Sequence, residues 1–180
     1  MTEQLAPGTQ DRTATLLGWA IFVTFFILFF NIINLPRTAI DLRLPLQVGH
    51  DSLGWVVFVF CAIRLYWFAA GPKPRAPEGM PESSFAFNRA ILFMIVFVFA
   101  VEAVIGIMYA WGEGRNLYFF GFVLPQLLET TEGLRVSTGY PHSALAFYYL
   151  MLFTLWFVLG IWQHLKYKVG WRRLFPGEQV

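Results

Sequence analysis

Two histidines carry the residue types and spacing most suited to chemistry in this chain. His50 stands in Gln47-Val48-Gly49-His50-Asp51 and opens the second long apolar run. His142 stands in Gly139-Tyr140-Pro141-His142-Ser143 and opens the last. An imidazole in hydrocarbon needs a partner, so histidine is rare in membrane spans. The chain has only three, and two of them fall at matched depth. Two neutral imidazoles facing each other between helices can ligate a haem iron from both sides. Gly54 and Ala146, each four residues further on, put small side chains on the same helix faces, where a flat macrocycle could lie. Each histidine equally suits an interfacial helix start hydrogen-bonded to backbone. Spacing alone leaves both readings open.

The elements that position them are apolar helices. Of 180 residues, 57% are hydrophobic, 19% aromatic and 13% charged. Soluble domains carry about 25% charged residues, so this composition points to a bilayer protein. A net charge of +2 is too small to suggest nucleic acid. The one cysteine, Cys61, lies in an apolar run and reads as a small buried or lipid-facing residue. After a polar N-terminal tail, the runs predict four helices at about 14–33, 48–70, 85–110 and 142–164. About 20 residues span the roughly 30 Å of a hydrocarbon core. The first run is too long for a signal-peptide core and has no small-residue cleavage site after it, so it reads as an uncleaved helix. The expected architecture is an all-α integral membrane protein, a four-helix transmembrane bundle forming one membrane domain over 1–180.

Residues 34–47 carry Pro36 and Pro45 and read as a loop. Gly71-Pro72-Lys73-Pro74-Arg75 ends the second helix. The aromatic stretch Tyr118–Pro125 suits the interface or a short amphipathic helix. The N-tail, the second connection and the C-tail, with their flanking helix ends, hold nine basic residues: Arg12, Arg64, Lys73, Arg75, Arg89, Lys166, Lys168, Arg172 and Arg173. The other two connections hold four: Arg37, Arg43, Arg115 and Arg135. The positive-inside rule then puts both termini in the cytoplasm and His50 and His142 near the periplasmic face.

The sequence resembles the bacterial cytochrome b561 family of four-helix di-haem membrane cytochromes. The resemblance rests on His50-Asp51-Ser52-Leu53-Gly54, with Arg64 and Gly71-Pro72-Lys73-Pro74 after it. It continues through Val104-Ile105-Gly106-Ile107, Phe120-Gly121-Phe122-Val123-Leu124-Pro125 and His142. It ends at Gly170-Trp171-Arg172-Arg173-Leu174-Phe175-Pro176-Gly177. It implies a haem b held by His50 and His142 near the outer face. The family's second, inner haem uses a histidine early in helix one and another 14 residues after the first ligand of helix four. Those positions fall near Trp19 and at Trp156. This chain is therefore expected to bind one haem, with the two tryptophans helping to fill the inner space.

Several other polar residues invite a role. Glu102, inside the third helix, is a functional candidate by default: it could exchange protons with a quinone, face a partner subunit, or serve as a structural contact. Arg64 lies on the His50 face, 14 residues deeper, and either snorkels to the interface or holds an anionic ligand. His164, about 33 Å along the helix from His142, reads as interfacial, with a quinone or lipid headgroup contact as the functional option. Arg37, Arg43, Arg115 and Arg135 lie where haem propionates would emerge and could pair with them. Asp51 suits a helix cap better than a role in orienting an imidazole.

Iron with two protein ligands has no open position and carries electrons. The resemblance implies electron exchange between the quinone pool, with ubiquinone as the quinone, and a periplasmic redox partner in the bacterial inner membrane. Two alternatives are a membrane anchor subunit of a larger respiratory or photosynthetic complex with a structural or vestigial haem, and a superoxide oxidase.

Overall fold

The computed structural model describes residues 11–169. It contains four long helices: α1 (Arg12–Asn34), α2 (Arg43–Ala70), α3 (Glu82–Gly112) and α4 (Glu132–Tyr167). All four are long and apolar enough to cross a bilayer. Two short strands, β1 (Leu117–Phe119) and β2 (Phe122–Leu124), form an antiparallel hairpin between α3 and α4.

The helices run further than the apolar runs suggested. α2 begins at Arg43 rather than near 48, and the connection before it contains two 3₁₀ turns, Leu35–Arg37 and Ile40–Leu42. Pro45 does not prevent this, because the first turn of a helix has no intrahelical acceptor for its N–H groups. α4 begins at Glu132, ten residues before the expected start, and Pro141 lies inside it. Its added N-terminal part carries Glu132, Arg135, Ser137 and Thr138. At 36 residues, or about 54 Å, α4 exceeds the hydrocarbon thickness, and this polar portion accounts for the excess. His50 and His142 consequently sit inside their helices, not at their starts.

The ends are fastened by specific contacts. Asp11 caps α1 by accepting from the Thr13 and Ala14 N–H groups at 3.0 and 3.2 Å. It also accepts from Trp67 Nε1 near the end of α2. Lys73 Nζ turns back onto the last carbonyls of α2, Phe68 and Ala69, at 2.6 and 3.0 Å. At the same end of the bundle Asn88 Nδ2 donates to Gln163 Oε1 (3.2 Å) and Gln163 Nε2 to the Ser84 carbonyl (3.1 Å). This joins α3 to α4. Arg172 and Arg173 of the basic tail, and the Gly170–Gly177 motif, lie outside the described residues.

Lipid is as apolar as leucine, so helix association in a bilayer depends on close packing more than on burial from water. α3 and α4 achieve it with glycine. A Cβ on Gly112 would lie 2.7 Å from the Arg135 backbone nitrogen, and one on Gly139 would lie 2.8 Å from the Tyr109 ring. α1 meets α4 through large rings instead, with Phe22 and Phe153 centroids 5.2 Å apart. The core holds Ile21, Phe25, Val57, Cys61, Ile95, Phe99, Tyr149 and Trp156. Cys61 is fully buried.

The aromatic stretch after α3 is a hairpin, not a helix. Aromatic and β-branched residues on both sides of Phe120-Gly121 favour strands, and Phe120 turns the chain with φ of 53°.

Candidate functional site

α2 and α4 carry His50 and His142 to opposite walls of one cavity. Their ring centroids are 6.3 Å apart and the planes are inclined by 78°. The cavity holds about 70 Å³ and is lined by Phe25, Leu28, Phe29, Ile32, Val57, Phe99 and Ala103 besides both histidines. Gly54, Ala146 and Glu102 also line it. Gly54 has open space where a Cβ would project, so α2 presents bare backbone to the cavity.

α3 fixes the His142 ring. Its Nδ1 lies 3.2 Å from the Glu102 carbonyl oxygen, which makes Nδ1 the protonated nitrogen and leaves Nε2 with its lone pair. One turn on, a Cβ at Gly106 would lie 2.7 Å from His142 Cε1. The ring is therefore pressed flat against helix backbone, and Tyr109 lies 6.3 Å away, tilted by 32°. A carbonyl on the second ring nitrogen is how ligating histidines are commonly oriented. His50 keeps Nδ1 buried with no hydrogen-bond partner. A metal sits about 2.0–2.1 Å from each imidazole nitrogen, so two rings in line around one atom have centroids roughly 6 Å apart. The observed separation suits that arrangement.

The neighbours of His50 serve a different purpose from the cap expected of Asp51. Asp51 is the ninth residue of α2, too deep to cap it. Its side chain, 2% exposed, accepts from Arg115 Nη1 at 3.0 and 3.1 Å and from the Tyr118 N–H at 3.3 Å. Ser52 Oγ accepts from the Phe120 N–H at 2.6 Å while donating to the Val48 carbonyl. α2 thus covers the free edge of β1.

The other arginines proposed from sequence are engaged elsewhere, and none lines the histidine cavity. Arg37 donates to the Ile33 carbonyl. Arg43 donates to the Thr38 and Pro36 carbonyls at 2.9 and 3.2 Å, and Arg135 pairs with Glu132 at 2.5 and 2.8 Å. Arg37 and Arg43 hold the turns after α1 together. Glu102 is buried, and its Oε2 lacks a hydrogen-bond partner among the described residues.

A second, smaller cavity of about 20 Å³ lies towards the other end of the bundle, lined by Gly18, Phe22, Arg64, Tyr149, Phe153 and Trp156 among others. No histidine borders it. Trp156 is 2% exposed, while Trp19 is 37% exposed and packs edge-on against Phe22. Only Trp156 of the expected pair borders this space. Arg64 is buried, with its guanidinium 4.4 Å over the Phe68 ring. Phe68 is one turn nearer the end of α2, so the side chain reaches towards that end of the helix. His164, in the last turn of α4, borders neither cavity. Between the two spaces stand three rings: Phe25 and Phe99 lie 4.1 and 4.6 Å from Tyr149 and 5.6 Å from each other.

The model of the prokaryotic cytochrome b561 family matches residues 9–177. The chain belongs to this family. Comparison with curated proteins gives no match. As a cytochrome b561 family member it is a multi-pass bacterial membrane protein, a b-type cytochrome of electron transfer whose cofactor is a b-type haem. The contribution of Gly106 to the site escaped the sequence reading, although the residue falls in one of the motifs that carry the family resemblance. Its spacing of four from Glu102, on one helix face, was the available signal.

Proposed function

We propose that this cytochrome binds one haem b between His50 and His142, near the periplasmic face, and passes electrons between the quinone pool and a periplasmic redox partner in the inner membrane. The observation that carries this reading is the pair of imidazoles, ring centroids 6.3 Å apart, lining one largely apolar cavity. The donors suit the group. His142 commits Nδ1 to a carbonyl and keeps Nε2 available, His50 is buried without a partner on Nδ1, and Gly54 and Ala146 leave flat walls. A haem held by His50 and His142 would supply single-electron transfer. His50 and His142 would hold it, the Phe25, Phe29 and Phe99 rings of the lining would exclude water, and α3 holds the His142 ring in place. A single haem is favoured because the chain's three histidines leave none bordering the second cavity.

The test is a pyridine haemochrome assay with protein quantitation on the wild type, His50→Ala and His142→Ala. About one haem b per chain is expected, lost in either variant. Two haems would overturn the single-site reading, and haem retained in both variants would move the ligands elsewhere.

A further inference from the structure

The hairpin after α3 is an unusual element for a connection outside a membrane. From Leu117 to Leu128 the sequence is LYFFGFVLPQLL, without one charged residue. In an antiparallel pair, directly opposed residues share a face. The register Leu117↔Leu124 and Phe119↔Phe122 therefore puts four apolar side chains on one face. Phe119 and Leu124 of that face roof an open space of about 520 Å³, whose other walls are Trp55, Val56, Val59 and Phe60 of α2. Phe122 on the same face is 73% exposed.

We propose that this hairpin is seated in the bilayer surface at the histidine end of the bundle, with Phe119, Phe122 and Leu124 against acyl chains, Leu117 buried against the bundle, and a lipid tail filling the space beneath it. Two independent observations support lipid as the occupant. The wall formed by α2 continues directly into the exposed apolar side of that span, where Val59 is 50% and Ile63 44% exposed. A lipid-covered surface is therefore continuous with the roofed space. The hairpin backbone is also paired where it meets α2: the Tyr118 N–H on the outer edge of β1 is satisfied by Asp51 and the Phe120 N–H in the turn by Ser52. Unpaired N–H groups are excluded from hydrocarbon, so the outward Val123 N–H of β2 places that edge at the hydrated headgroup level. Asp51 and Ser52 are themselves buried on α2, about one helical turn above Trp55. The hairpin thus hangs from the last polar residues before the apolar part of α2. This reading rests on the four membrane spans and not on haem ligation.

The test uses photo-crosslinking in the full chain, reconstituted into phosphatidylcholine–phosphatidylglycerol vesicles. p-Benzoylphenylalanine replaces Phe122, a ring for a ring at an exposed site. The same residue at Ile63 gives a lipid-facing reference, and at exposed Glu129 an aqueous one. On irradiation the Phe122 site is expected to yield phospholipid adducts by mass spectrometry as the Ile63 site does, several-fold above the Glu129 site. Adduct yields no higher than at Glu129 would show a water-exposed hairpin and overturn the proposal. Chain-to-chain adducts as the main product would overturn it in favour of a second copy. Phe119, on the same face, provides a second site should the Phe122 variant fail to accumulate.

Discussion

At the scale of single residues, the site depends on what is missing from side chains as much as on what is present. Gly106 lets α3 lie against the His142 ring, with no room for a methyl group, since a Cβ would stand 2.7 Å from Cε1. Gly106→Ala must tilt or displace that ring while the helix itself gains propensity. The expected result is a reduced haem content, or a retained haem with shifted low-spin electron paramagnetic resonance. An unchanged spectrum and stoichiometry would separate Gly106 from the ligand. Trp156 makes the opposite contribution, filling space beside the second cavity at 2% exposure. Trp156→Ala should cost about 3–5 kcal/mol, in line with large-to-small changes in well-packed interiors. A thermal unfolding series in detergent measures it, and a loss below about 1 kcal/mol would mean that the neighbouring rings collapse into the gap.

At the scale of elements, the hairpin and α2 depend on each other. The Asp51 carboxylate, almost fully buried, holds both Arg115 and the β1 backbone. Hydrogen bonds to charged groups contribute about 1.5–3 kcal/mol, and Arg115 is partly exposed, which weakens its share. Asp51→Asn should therefore destabilise by about 1–2 kcal/mol and make residues 117–128 cleave faster in limited proteolysis. Cleavage at the wild-type rate would show that the hairpin is held by its apolar face alone. Much of this level was legible in the chain. Four apolar runs of bilayer length announced the four helices, because length and hydropathy are local properties. The histidines were visible because imidazole is rare in such runs. What escaped was contact between distant residues. Asp51 and Arg115 are 64 positions apart, and nothing local to either one names the other. Asp51 looked like a cap because the apolar run begins beside it, while the helix itself begins at Arg43. The proline at 141 similarly suggested a boundary that the helix passes through. Polar helical extensions beyond the bilayer leave no mark in hydropathy.

At the scale of the whole molecule, the bundle has one kind of seam between α3 and α4, where glycines admit backbone, and another between α1 and α4, where rings meet. The two cavities lie on either side of the rings of Phe25, Phe99 and Tyr149, and imidazoles border only one of them. On the proposed single-haem site, donor and acceptor must both be served from the same end of the bundle. Moving one charge through a membrane voltage involves about 2.3 kcal/mol per 100 mV, and a circuit that enters and leaves on one side avoids that work. In sealed vesicles, haem reduction by a quinol analogue should keep its rate when a potassium diffusion potential of either sign is imposed. A rate that follows the sign of the voltage would mean that charge does cross the aromatic partition. On that reading the protein is a redox junction on one side of the bilayer, one that neither charges the membrane nor draws current from it.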